Sequence, residues 1–121
     1  LGLRNYAIGA FGKLTETSQD GFLFQNLVCN LLIDKFGRTG ATIHYWRTKD
    51  KAEVDFVIDL KDRIIPVEAK CSRTPKIERS IKSFIAKYKP EEAWVVNLSF
   101  KKIVKVNHTT VKFLPFWEII E

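Results

Sequence analysis

Two apolar runs carry charge where a buried strand would not. They are Glu53-Val54-Asp55-Phe56-Val57-Ile58 and, after a short polar stretch, Ile64-Ile65-Pro66-Val67-Glu68-Ala69-Lys70. An unpaired charge in a core is strongly disfavoured, so ionised groups within β-branched strand sequence call for something between them. A divalent cation is the simplest candidate, because carboxylate oxygens are natural ligands of magnesium and manganese. Such an ion lowers the pKa of a bound water and neutralises charge on a phosphate under in-line attack. A lysine beside it could orient or deprotonate that water, or stabilise developing charge. A structural salt bridge from Lys70 to Asp55 or Glu68, at a strand end open to solvent, fits the bare residue types as well.

These residues need strands to bring them together. Side chains alternate along a strand, so Glu53, Asp55, Val57 and Asp59 are expected on one face and Val54, Phe56 and Ile58 on the other. Glu68 and Lys70 share a face in the same way, opposite Val67 and Ala69. A tight antiparallel hairpin at Lys61-Asp62 would set Asp55 roughly across from Glu68.

Around this hairpin the chain reads as one domain. Residues 1–17 read as a lead-in segment, its weak apolar stretch interrupted by Gly9 and Gly12. Asp20 is the expected N-cap of a helix carrying Phe24, Leu27, Val28, Leu31 and Leu32, closed by Gly37. Thr42 to Thr48 reads as a strand and Lys49-Asp50-Lys51 as its turn. Thr74-Pro75 predicts a second helix start, with Pro75 at the first helical position. Ile77, Ile81, Phe84, Ile85 and Tyr88 give that helix an amphipathic stripe, ended by Lys89-Pro90. Ala93 to Leu98 and Ile103 to Val106 read as strands, and Val111 to Phe113 as a last edge strand limited by Pro115. The expected architecture is α/β: a mixed sheet with helices packed against it.

Composition narrows the function classes. The chain has 121 residues, 45% of them apolar, enough for one core but not two. It opens on Leu1 and contains no methionine, which predicts a piece excised from a longer polypeptide. No stretch resembles a signal peptide or is long enough to span a bilayer, so no membrane partner is expected. Cys29 and Cys71 make no framework, which fits a reducing, cytoplasmic interior. His44 and His108 stand alone, which speaks against zinc. Twenty basic residues against fourteen acidic give a net charge of +6, and nucleic acid is the usual partner of such an excess.

Asp55, Glu68 and Lys70 resemble the signature of the PD-(D/E)XK nuclease superfamily, the fold of restriction endonucleases and archaeal Holliday-junction resolvases. More closely, Leu3-Arg4-Asn5, Gly21 to Leu27, Tyr45-Trp46-Arg47-Thr48, Glu53-Val54-Asp55-Phe56 and Val67-Glu68-Ala69-Lys70 resemble one member family. It is an uncharacterised domain found C-terminal to the P-loop module of bacterial and archaeal ATPases, and Ser83 to Pro90 continues the match. The resemblance implies a restriction-endonuclease-like fold that hydrolyses DNA phosphodiester bonds. Magnesium or manganese would sit on Asp55, Glu68 and the backbone carbonyl of Ala69, with Lys70 as the catalytic lysine. It further implies an ATPase module in cis and, by analogy with resolvases and restriction enzymes, a homodimer. No GxxxxGK[ST] sequence occurs in these residues.

Two departures stand out. Val54 replaces the superfamily's proline before the first acid, a minor change. Gln25-Asn26 replaces the family's Glu-Asn on the first helix. Gln25 keeps an oxygen ligand but loses a charge, which should weaken binding of a hard cation. Glu53 is the expected source of the missing charge. The alternative function on the same fold is a DNA-binding, regulatory or protein-interaction module without cleavage.

Several further residues carry two readings. Arg73, Lys76, Arg79, Lys82 and Lys87 could line a phosphate track or form a solvated helix face. Arg47 could grip a scissile phosphate or pair with Glu53 or Asp55. Tyr45 and Trp46 could stack on bases or cover the neighbouring helix. Lys101, Lys102, Lys105 and Lys112 could guard a sheet edge. The apolar tail from Phe113 to Ile120 could pack under the sheet or form an interface, and packing is the favoured reading.

Overall fold

Phe24, Val28 and Leu32 recur every four residues, and all three are fully buried along one side of helix α1 (Ser18–Phe36). The computed structural model of the chain describes residues 18–49 and 53–120, so the lead-in segment and most of the Lys49-Asp50-Lys51 turn lie outside it. Asp20 falls in the first turn of α1 rather than capping it. Gly37 ends the helix as expected. Its N–H bonds the Ile33 carbonyl at 2.8 Å, and a Cβ on Gly37 would lie 2.5 Å from that same oxygen.

The expected meander follows as β1 (Thr42–Arg47), β2 (Glu53–Asp59) and β3 (Ile64–Ala69). The hairpin between β2 and β3 turns where Lys61 takes a positive φ of 75° and donates its N–H to Asp59 Oδ1 at 2.9 Å. Across it, Phe56 pairs with Val67 and Asp59 with Ile64.

Helix α2 (Arg79–Tyr88) starts later than Thr74-Pro75 predicts. Pro75 is buried ahead of the helix, and Glu78 is the residue at the N-cap. Glu78 makes no side-chain cap bond because its carboxylate is drawn to Lys70, at 3.1 Å. The stripe itself holds: Ile81, Phe84 and Ile85 are buried.

The chain continues through β4 (Glu92–Asn97), β5 (Lys102–Val106), β6 (Thr109–Pro115) and a short helix α3 (Trp117–Ile120). Strand order is β1-β2-β3-β4-β6-β5, with β3–β4 and β4–β6 parallel and the other neighbours antiparallel. This mixed α/β architecture is the expected one, with one correction. β6 is not an edge but lies between β4 and β5, because Val111 and Phe113 are buried against α2 while both backbone edges are paired. Pro115 is tolerated there because it falls on the last paired position, opposite Asn97. The edge belongs to β5, where Lys102 and Lys105 are exposed.

Helices α1 and α3 cover one face of the sheet and α2 the other. The apolar tail packs into the core: Phe116 is 1% exposed, edge-on to Phe24 at 5.9 Å, and Ile119 is buried beside it. Those side chains are not free for a partner.

Candidate active site

The ladder between β2 and β3 ends at Phe56–Val67, one residue short of Asp55 and Glu68, and the Asp55 charge still acts on Glu68. Strand β1 disturbs the other side of β2. His44 faces Val57 and Trp46 faces Val54, so β1 spends one residue, Tyr45, where β2 spends two, Asp55 and Phe56. Such a bulge re-aims side chains and is common beside active sites. It also breaks the expected alternation. Val57 packs with Val54 and Phe84 on the α2 side instead of sharing the face of Asp55, whereas Phe56 and Ile58 join the core beneath α1.

Freed from regular pairing, Asp55 reaches helix α1. Gln25 Nε2 donates to Asp55 Oδ1 at 2.9 Å, and the Ala69 N–H donates to Oδ2 at 2.8 Å. Burial raises the Asp55 pKa above the ordinary carboxylate value, opposed chiefly by the Ala69 hydrogen bond. Glu68 is more extreme. It is 8% exposed, and its Oε2 is buried without a hydrogen-bond partner among the described residues. Burial, then the Asp55 charge, push the Glu68 pKa up to about 7. The Asp55 charge helps hold the proton on Glu68.

Lys70 follows directly. Its N–H donates to Val96 O at 2.8 Å, and Leu98 N–H donates to Ser72 O at 3.1 Å, which fastens residues 70–72 along β4. The Lys70 charge lowers the pKa of both Asp55 and Glu68. Its ion pair, however, is with Glu78 and not with either acid, so the simple structural salt bridge is not the one formed. Glu78 escaped sequence reading because Thr74-Pro75 predicts an earlier helix start, which puts Glu78 inside the helix rather than at its N-cap. Ser80 escaped as well: its hydroxyl accepts the Glu53 N–H at 3.3 Å.

The remaining expected residues divide. Arg47 Nε pairs with Glu53 Oε2 at 3.3 Å, the structural one of its two readings. Trp46 covers α2, edge-on to Phe84 and donating to the Tyr88 hydroxyl, while Tyr45 is 71% exposed. Arg73, Lys76, Arg79, Lys82 and Lys87 are all exposed in or just before α2. Lys87 lies 5.4 Å from the Tyr88 ring centre.

A family model, "Domain of unknown function (DUF4143)", matches residues 20–119. The chain belongs to the DUF4143 family. Among curated proteins none matches it. The family occurs in AAA-type ATPase-associated proteins. The DUF4143 match takes in Gln25, Asp55, Glu68, Lys70 and Glu78, so the whole candidate site lies within the family's extent.

Within this DUF4143 domain no three His, Cys, Asp or Glu side chains gather as a metal group among the described residues. The fit to a divalent cation rests on fewer groups. A buried carboxylate oxygen without a donor among the described residues, within the field of a second carboxylate, is the arrangement a hard cation would satisfy. Asp55 and Glu68 therefore suit magnesium or manganese. Gln25 presents nitrogen rather than oxygen to Asp55, and Glu53 is held by Arg47 at the strand's exposed end.

Proposed function

We propose that this DUF4143 domain is a metal-dependent nuclease-like domain that hydrolyses DNA phosphodiester bonds and is carried on the same chain as an ATPase. The buried Glu68 Oε2, unpartnered among the described residues and acted on by the Asp55 charge, carries the reading, because it is costly unless a ligand completes it. The PD-(D/E)XK resemblance of Asp55, Glu68 and Lys70 gives that pair a reaction. The occurrence of the family in AAA-type ATPase-associated proteins supports the tether.

Asp55, Glu68 and the Ala69 carbonyl would hold magnesium or manganese. The bound ion supplies a water of lowered pKa and positive charge for the phosphate. Ala69 N–H holds Asp55 in place while Gln25 steadies it from α1. The Lys70 ammonium, kept in position by Glu78, orients the attacking water and offsets charge developing on the phosphate. Lys76, Arg79, Lys82 and Lys87 supply sequence-independent contacts to the backbone of the nucleic acid.

A second reading, DNA binding without cleavage, is favoured by one observation: the Gln25 amide already satisfies Asp55 Oδ1 without any cation. Labelled duplex, nicked, branched and single-stranded DNA separate the two. Magnesium- or manganese-dependent cutting, lost in Asp55→Asn and Lys70→Ala, supports the nuclease. Metal-independent, salt-sensitive binding without cutting on any substrate supports the binding module.

A further inference from the structure

The two acids of the site differ in how they are served. Both Asp55 oxygens already accept hydrogen bonds, from Gln25 Nε2 and from the Ala69 N–H, whereas Glu68 Oε2 accepts none among the described residues. Gln25 thus gives Asp55 a donor and adds no negative charge. Glu53 does not make up the deficit, since its carboxylate is paired with Arg47. Lys70, close enough to act on both acids, brings further positive charge towards the same place. A hard cation arriving at the free domain meets Glu68 and an Asp55 whose oxygens are both engaged, while the nearby Glu53 and Glu78 charges are already paired with Arg47 and Lys70. Magnesium-type ions held by only one or two carboxylates commonly complete their shell with substrate phosphate oxygens.

Building on the nuclease reading, we infer that Gln25 makes metal binding conditional on the substrate: the free domain holds the cation weakly, and cation and DNA backbone bind cooperatively. The phosphate supplies the negative oxygens that position 25 does not. Linkage then makes the coupling reciprocal, so the cation tightens DNA by the factor that DNA tightens the cation. A domain of this kind stays unloaded away from DNA.

The test is binding, not turnover. Manganese is titrated calorimetrically into the 121-residue chain with and without a cleavage-resistant phosphorothioate duplex. Duplex binding is followed by anisotropy with and without manganese. In the wild type the duplex is expected to raise manganese affinity about tenfold or more, with the same factor in the reverse direction. Gln25→Glu is expected to tighten manganese on the free protein about tenfold or more and to shrink the coupling. Equal manganese affinity with and without duplex in the wild type overturns the inference and leaves the nuclease reading standing; this comparison needs no variant to fold. Coupling unchanged in a folded Gln25→Glu protein overturns the role of Gln25. No manganese binding under any condition, with Asp55→Asn indistinguishable from wild type, overturns the nuclease reading itself.

Discussion

Gln25 and Asp55, thirty residues apart in the chain, are joined by a 2.9 Å hydrogen bond from the amide nitrogen to Oδ1. That bond fastens helix α1 to the bulge of β2 at the point where β2 and β3 stop pairing. The same carboxylate holds the last N–H of β3 through Ala69. Asp55 is therefore a structural fastener as well as a candidate ligand, and the two roles can be measured apart.

Asp55→Ala strands the Ala69 N–H and the Gln25 amide together. A buried donor left without an acceptor costs about 1–3 kcal/mol, so a loss of that size is expected in urea unfolding, with the m-value unchanged. Asp55→Asn keeps an oxygen for Ala69, and Gln25 can reverse its amide to accept from the new side chain. Its stability should stay within about 1 kcal/mol of wild type while any metal-dependent activity is lost.

Glu68 sets the pH dependence. Its folded-state pKa, about 7, lies above the ordinary 4.5, so between these values the folded state binds more protons than the unfolded state. Stability is therefore highest below about pH 4.5 as far as this group is concerned, and it falls as the pH rises towards 7. The loss approaches about 3 kcal/mol. The raised Asp55 pKa acts in the same direction at lower pH. Urea midpoints measured across pH 4 to 8 should slope downward in the wild type and flatten in Glu68→Gln. A wild-type curve that rises through this range contradicts the assignment.

Truncating the tail tests the other half of the fold. Phe116 fills the space between α1 and the sheet at 1% exposure, against Phe24. Phe116→Ala is expected to lose about 3–5 kcal/mol, and a chain ending before Pro115 should not fold. A folded, merely less sticky truncation would restore the idea of a docking segment.

Local pattern carried part of this fold. The Phe24, Val28, Leu32 and Ile81, Phe84, Ile85 stripes, the Lys61-Asp62 hairpin and the Phe56–Val67 register all follow from nearest-neighbour spacing. What spacing cannot hold is competition between distant groups. Alternation assigned Val57 to the face of Asp55, but the extra residue opposite Tyr45 turned it towards Phe84. Pro75 promised a helix start, but Glu78 pairs with Lys70 and the helix begins after it. Val111 to Phe113 looked like an edge because nothing in the sequence says that β5 folds back outside β6. Gln25 stands out only through the family resemblance, and its bond to Asp55 depends on the bulge, which spacing does not show.

Glu78→Gln separates the electrostatic role of Glu78 from any structural one. The Lys70–Glu78 pair is about half exposed on both sides, so its removal should change stability by less than about 1 kcal/mol. The Glu78 charge raises the Glu68 pKa, so the Glu68 midpoint should move down in the variant, as read by NMR titration of its carboxyl carbon. An unmoved midpoint would mean that Glu78 does not act on the site.

The basic side of α2 predicts the salt dependence of DNA binding. Each phosphate contact releases condensed counterion, so log K against log salt should lose about one unit of slope for each contact removed. Arg79→Ala and Lys82→Ala are expected to lower the slope in this way, with similar effects on duplexes of unrelated sequence. Lys102→Ala and Lys105→Ala, on the β5 edge at the far end of the strand order, should leave it unchanged. If instead the β5 lysines flatten the slope and the α2 residues do not, DNA lies along the opposite edge of the sheet, away from Asp55 and Glu68. Binding there would not present a phosphate to the acids, and the nuclease reading would fail on geometry.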